Sequence, residues 1–186
     1  MAKEEEYRSR ASYKLAQAVA KYRFIKKGDV VVDLGAAPGG WLQITRQLVG
    51  RNGFVLGVDK EKIDPFEFEN VMTFVGDIRE AETVSRIAAI LPRKADVVIS
   101  DAAPNVSGIW EVDHARQIEL AEASLGIAIS LLAEDRSFFV KVFQGELLNK
   151  FLRLMRKHFS IVKGIKPKAS RKESAEIYVL GLGFIN

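Results

Sequence analysis

Four aspartates each close an apolar run: Asp33 after 30–32, Asp59 after 54–58, Asp77 just past 71–75, and Asp101 after 95–100. In an open α/β sheet ligands bind outside the carboxyl ends of the strands. Carboxylates ending successive strands therefore point to one crevice. The first run continues into VVVDLGAAPGGW at 30–41. Gly35, Gly39 and Gly40 let the backbone turn sharply and approach a ligand closely, although a lone glycine-rich loop also fits an ordinary strand-to-helix turn. A dinucleotide fingerprint would place a glycine at 37, but Ala37 and Pro38 stand there, which disfavours pyrophosphate. Asp59, about twenty residues beyond the loop, is placed to accept both hydroxyls of a ribose. Adenosine without pyrophosphate suggests S-adenosylmethionine. Asp77 has two readings, a cap for the helix that follows or an acceptor for the adenine amino group.

Lys141 is the second chemical anomaly. It sits in SFFVKVF at 137–143, a strand expected to be central. A lysine there either snorkels from the edge or belongs to the site, and buried lysine is rare unless paired; the site is the favoured reading. Lys14, in a basic helical stretch, reads by itself as a surface lysine. The chain has no cysteine and only two isolated histidines, His114 and His158, so no metal site is expected.

The elements that must position these groups alternate. A helix is expected over 7–27, with Ser9 or Ser12 as its cap, then a strand to Asp33 and a helix from Trp41 to 49. Strands at 54–59 and 71–75, a helix at 79–91 and a strand at 95–100 follow. The loop AAPNVSG leads to a helix at 112–132, the strand 137–143 and a basic amphipathic helix at 146–158. Strands at 159–163 and 176–182 close the chain across a loop dense in cations. This pattern specifies one α/β domain over 1–186, a mostly parallel sheet with helices on both faces and a terminal antiparallel pair.

Charge is unevenly spread beneath a net +4. Residues 1–30 hold eight Lys/Arg against four Asp/Glu, 31–149 hold eleven against eighteen, and 150–172 hold nine against none. Basic ends fit a solvated face or, the favoured reading, a nucleic-acid or other anionic partner. The start lacks an apolar signal core and the apolar stretch 125–133 is too short to span a bilayer. A soluble cytoplasmic monomer is expected.

The segments SRASYKL, DLGAAPGGW, GVD at 57–59, GDI at 76–78, DAAPNVSG, VKVFQGE and SAEIYVLG together resemble the FtsJ-type ribose 2′-O-methyltransferases of RNA, in the right order across nearly the whole chain. The resemblance implies a Rossmann-like class I methyltransferase with seven strands in the order 3-2-1-4-5-7-6, the last antiparallel. It implies S-adenosylmethionine as cofactor, held by Gly39, Trp41, Asp59, Asp77 and Asp101, to which the reading of the glycine loop adds Gly35 and Gly40. The family's Lys-Asp-Lys-Glu tetrad falls on Lys14, Asp101, Lys141 and Glu176. The substrate it implies is a uridine of large-subunit ribosomal RNA, with transfer RNA as the alternative and a non-catalytic RNA-binding module behind it; a nicotinamide oxidoreductase is a distant third. Some archaeal relatives carry an extra RNA-binding module, whereas this sequence stops at Asn186, so grip on RNA is expected from the domain itself.

In the expected mechanism Lys141 takes the 2′-hydroxyl proton, Asp101 orients it, and Lys14 with Glu176 positions the nucleotide. A free lysine titrates near 10.4, so a lysine base needs desolvation or a neighbouring like charge, which Lys14 would supply. Arg8, Arg10, Arg23, Lys166, Lys168, Arg171 and Lys172 are expected to contact RNA phosphates.

Overall fold

In the computed structural model, residues 7–168 and 174–185 are described. Their elements, in chain order, are α1 (Ala11–Tyr22), β1 (Val30–Leu34), α2 (Gly40–Val49), β2 (Phe54–Asp59), β3 (Val71–Val75), α3 (Ala81–Ile90), β4 (Ala95–Ser100), α4 (Trp110–Leu131), β5 (Leu132–Phe143), α5 (Leu148–Met155), β6 (Phe159–Ile165) and β7 (Glu176–Phe184). One seven-stranded sheet runs β3-β2-β1-β4-β5-β7-β6. Its first five strands are parallel, and β7 lies antiparallel between β5 and β6. The order and the antiparallel strand agree with expectation.

The sheet is covered on both faces, which is why β1 and β4 are buried at every position. Val32, Leu34, Val98, Phe138 and Val140 meet α4 and α5 on one face. Val31, Val97, Ile99, Phe139 and Tyr178 meet Leu15 of α1 and Trp41, Leu42 and Ile44 of α2 on the other. Each large apolar side chain fully removed from water contributes about 1.5–3 kcal/mol. Strand side chains alternate with period two. Asp33, Asp101, Lys141, Glu176 and Tyr178 therefore share a parity with the α1/α2 face, and the crossover order brings their strand ends together.

Several boundaries differ from the sequence reading. Helix α1 stops at Tyr22, short of 27, because Arg23 takes a left-handed conformation (φ 54°) and returns its N–H to the Val19 carbonyl at 2.7 Å. That turn sends Phe24 and Ile25 into the core. Neither Ser9 nor Ser12 caps the helix with its side chain. Their hydroxyls crowd Gly40, where a Cβ would overlap both, so the bare glycine allows the N-terminal segment and α2 to close on one another. Strand β5 begins at Leu132 directly after α4, with a register irregularity before Ser137 and Asp135 at φ 61°. Among the described residues, no helix is long and apolar enough to cross a membrane.

Candidate active site

A cavity of about 640 Å³ opens at the carboxyl ends of β1 to β4, with Gly35, Asp59, Asp77, Asp101 and Ala102 in its wall. Gly35 is the tight point. Its φ is +72°, and a Cβ there would stand 2.6 Å from the Cα and 2.7 Å from the N of Ala102, so only glycine lets the β1 and β4 loops meet. Asp59 braces the same loop: its Oδ2 accepts the Ala37 N–H at 2.9 Å and its Oδ1 the Glu61 N–H at 2.9 Å. Asp77 is not the cap of α3, whose N-cap position is Glu80. Its Oδ1 accepts the Arg79 N–H at 3.0 Å, and its Oδ2 pairs with Arg79 at 2.8 Å and Lys60 at 2.9 Å. The Arg79 guanidinium holds the Asp77 carboxyl well below the usual carboxylate range.

Gly39, Gly40 and Trp41 stand elsewhere. Gly39 backs onto Arg8 and Phe66, and Gly40 onto the two serines of the N-terminal segment. Trp41 is buried, donates from Nε1 to the Ala11 carbonyl at 2.8 Å and stacks on Phe139 at 5.8 Å. None of the three is in the cavity wall. Their place is behind the loop, which they hold against α1.

Beside the cavity the four tetrad residues converge. Lys141 Nζ lies 3.3 Å from Asp101 Oδ1 and donates to the Asp101 carbonyl at 2.8 Å. Lys14 Nζ forms an ion pair with Glu176 Oε1. Tyr178, missed in the sequence reading, joins the two pairs: its hydroxyl is 2.8 Å from Asp101 Oδ1 and 3.4 Å from Glu176 Oε1. Burial, followed by the two carboxylates, pushes the Tyr178 phenol far up, so it stays a neutral donor. The signal available in the sequence was parity, since 176 and 178 share a strand face. Lys14, expected as a neighbouring like charge, is itself paired with Glu176, and Lys141 is buried in the packed sheet, 6% exposed. Gln117 of α4 was missed as well. Its Nε2 donates to the carbonyls of Ala102 at 3.1 Å and Lys141 at 3.0 Å, tying the β4 loop to β5.

Asp33 is fully buried and neither carboxyl oxygen has a hydrogen-bond partner among the described residues. Burial, then the charges of Asp101 and Asp59, raises its titration well above the usual range. Between the unfolded value near 3.9 and that raised value, the folded chain holds more protons than the unfolded chain, so stability falls as pH rises. Asp33→Asn removes the titrating group at nearly constant shape. Its melting temperature relative to the parent is expected to climb from pH 5 to pH 8 in parallel thermal melts; an offset that does not change with pH would contradict this.

The cations expected to hold RNA divide. Arg8 is engaged inside the protein: its guanidinium donates to the Asp64 carbonyl at 2.8 Å and lies 4.0 Å over Phe66, so it clamps the 64–66 loop. Arg23 sits by Asp29, Asp96 and Asp135, at the amino ends of β1 and β4 and so at the end of the sheet away from the cavity. Arg10, Lys166 and Lys168 are exposed, and Lys166 Nζ donates to the Ser174 carbonyl near Glu176. Arg171 and Lys172 lie outside the described residues. No group of three or more potential ligands that could hold a metal occurs among the described residues.

Comparison with known proteins gives a consistent result. The family model described as FtsJ-like methyltransferase matches residues 7–184. "Ribosomal RNA large subunit methyltransferase E" of Methanothrix thermoacetophila is 57% identical over 180 residues, 97% of this chain and 69% of that protein. The protein of the same name from Methanococcus aeolicus is 52% identical over 100% of this chain and 69% of its own length. A crystal structure of a ribosomal RNA methyltransferase from Plasmodium falciparum superposes with a TM-score of 0.85 at 29% identity, covering 97% of this chain and 100% of that one. A fibrillarin of Methanococcus jannaschii shares the fold alone, with a TM-score of 0.68 at 17% identity over 95% of this chain and 77% of that one.

Proposed function

The chain belongs to the FtsJ-like methyltransferase family, and from that membership we propose that it methylates the 2′-hydroxyl of a ribose in RNA, at a uridine of large-subunit ribosomal RNA. S-adenosylmethionine is the donor. The observation that carries the reading is the pair of lysine–carboxylate contacts, Lys141–Asp101 and Lys14–Glu176, bridged by Tyr178 at the edge of the cavity.

The cavity suits the cofactor on its own chemistry. Its volume lies in the range of small-molecule sites, Gly35 opens the floor, and the carboxylates of Asp59, Asp77 and Asp101 face hydroxyl, amino and cationic groups. When bound, S-adenosylmethionine supplies an electrophilic methyl group on a cationic sulfur, and the bonding pair leaves with the thioether. The protein's own part is to place and deprotonate the sugar oxygen. In its neutral form Lys141 keeps N–H donors on the Asp101 carbonyl and Oδ1 and turns its lone pair to the 2′-hydroxyl, whose proton moves to Nζ. Asp101 fixes that amine, and Tyr178 fixes Asp101. The Lys14–Glu176 pair, only part-buried, reaches the sugar from the solvent side and holds the nucleotide in line.

Arg10, Lys166 and Lys168 supply phosphate contacts, and the protein acts as a cytoplasmic monomer. With about three phosphates neutralised, log affinity for single-stranded RNA falls with log salt at a slope of about −2. A four-fold rise in salt is then expected to weaken binding roughly fifteen-fold in a fluorescence-anisotropy titration. Salt-independent binding would remove the basic surface from the reading.

Incubating transcribed ribosomal and transfer RNA with methyl-labelled cofactor tests the function. The expected product is an alkali-resistant, 2′-O-methylated dinucleotide from large-subunit RNA. Label on transfer RNA alone would reassign the substrate, and label on a base would overturn the reaction.

A further inference from the structure

The tetrad leaves unexplained a patch of exposed apolar side chains on the loop after β4 and the start of α4. Val106 is 78% exposed, Ile109 57% and Trp110 44%, and Leu147 of the loop after β5 is exposed beside them. Isolated apolar residues at a surface need no explanation, whereas a contiguous group next to a reaction centre does. We infer that Trp110 is a stacking platform for an unpaired base of the RNA adjoining the nucleotide that is methylated. This rests on the RNA methyltransferase reading above and adds how the substrate strand is gripped.

Position supports it first. Phe143 lies two residues beyond Lys141 in β5, so the two share a parity and their Cα atoms are about 6.6 Å apart. The Trp110 ring is 6.0 Å from that of Phe143, inclined by 22°. A strand whose ribose meets Lys141 therefore passes the indole within a nucleotide or two.

Rigidity is the second support. The Asp113 carboxylate accepts the Ser107 N–H at 2.7 Å, the Ser107 hydroxyl at 2.8 Å and the Gly108 N–H at 3.2 Å, locking the loop to the helix that carries Trp110. His114 lies against the indole at 5.5 Å and 12°. Its Nε2 in turn accepts the Leu147 N–H at 3.1 Å, anchoring the β5 loop to the same point. Two nearly parallel rings thus set the plane of the indole before any ligand arrives, which reduces the ordering cost of binding.

The chemistry of the indole selects the partner. The other tryptophan, Trp41, is 3% exposed and its N–H is bonded, as befits a core residue. The Trp110 N–H makes no hydrogen bond among the described residues, and the residue is 44% exposed. A flat π surface of this kind, near a site that needs an isolated ribose, matches how proteins hold single-stranded RNA, by stacking bases on aromatic side chains irrespective of sequence. A duplex keeps its bases stacked internally and offers no such partner.

Because the chain has only two tryptophans, its fluorescence reports the platform directly. Titrating the full chain with single-stranded oligouridylate is expected to quench the emission, whereas a duplex of equal length leaves it largely unchanged. Trp110→Phe is expected to abolish the quenching, since buried Trp41 alone remains. In methyl-transfer assays on transcribed large-subunit RNA, Trp110→Ala is expected to raise KM for RNA by about 5- to 100-fold. Its kcat falls by less than KM rises, its cofactor affinity stays within twofold, and Trp110→Phe stays within about threefold of the parent KM. Wild-type emission unmoved by RNA that is being methylated would overturn the platform, as would an unchanged KM in Trp110→Ala, which would leave the patch to a protein partner. Loss of cofactor affinity in both variants would assign Trp110 a structural role and also overturn it. Wild-type protein that labels no RNA would sink the methyltransferase reading itself, and the platform with it.

Discussion

Replacing Lys141 by alanine is expected to slow single-turnover methyl transfer by about 10²- to 10⁴-fold, the usual contribution of a positioned general base, with cofactor affinity preserved. The expectation follows from geometry. Lys141 Nζ is anchored on the Asp101 carbonyl at 2.8 Å and on Oδ1 at 3.3 Å, and this buried amine belongs to the sheet, outside the cavity wall. Lys141→Arg separates proton transfer from simple positive charge. Arginine keeps the charge but cannot surrender its proton in a protein, so it is expected to be nearly as slow as alanine. A small primary amine added to Lys141→Ala should restore part of the rate, because the deleted group leaves space beside Asp101. An arginine variant with close to the parental rate would mean that the site works by electrostatics and that the base lies elsewhere.

The second large effect is expected at Gly35. Gly35→Ala places an L side chain at φ +72° and drives its Cβ to 2.6 Å from the Ala102 Cα. The left-handed conformation costs about 1–2 kcal/mol, and overlap with a packed backbone adds about 1–3 kcal/mol. A loss of about 2–5 kcal/mol is expected, which for a domain of this size lowers the melting temperature by about 4–20 °C. Relief of the overlap requires the β1 and β4 loops to part, and these loops form the cavity wall. Cofactor affinity, measured calorimetrically, is therefore expected to fall at least tenfold, about 1.4 kcal/mol. Parental stability together with parental affinity would show that the loops do not meet as described. Gly40→Ala acts on a different contact, the seam with Ser9 and Ser12, so the two glycines separate cofactor floor from helix packing.

The cluster at the site has a common logic. Three carboxyls, Asp33, Asp59 and Asp101, lie close enough to raise the titration of the one that is sealed from solvent. Asp59 and Asp101 have polar partners, backbone N–H groups for one and Lys141 with Tyr178 for the other. Asp33 has none among the described residues, and burial raises its titration instead. A cavity bordered by acids suits a cationic cofactor, while the lysines on the other side of Asp101 suit an anionic strand.

By itself the sequence determined the alternation of strands and helices, the covered parallel sheet and the ends at which chemistry collects. These depend on hydrophobic period and on turn residues, which act over a few neighbours and are written locally. The tetrad was legible only through its resemblance to a family, because Lys14 and Glu176 are 162 residues apart and no local pattern couples them. Only the tertiary structure decided that Gly35 faces the cavity while Gly39, Gly40 and Trp41 brace the loop from behind, and that Arg8 reaches across to the 64–66 loop. It also decided that α1 ends at Tyr22, that Lys14 is balanced by Glu176, and that Tyr178 joins the two ion pairs. The reason is the same in each case. A residue's type limits what it can do, but its partner is fixed by strand order and by which side of a loop a neighbouring helix covers, and those emerge only when distant segments pack.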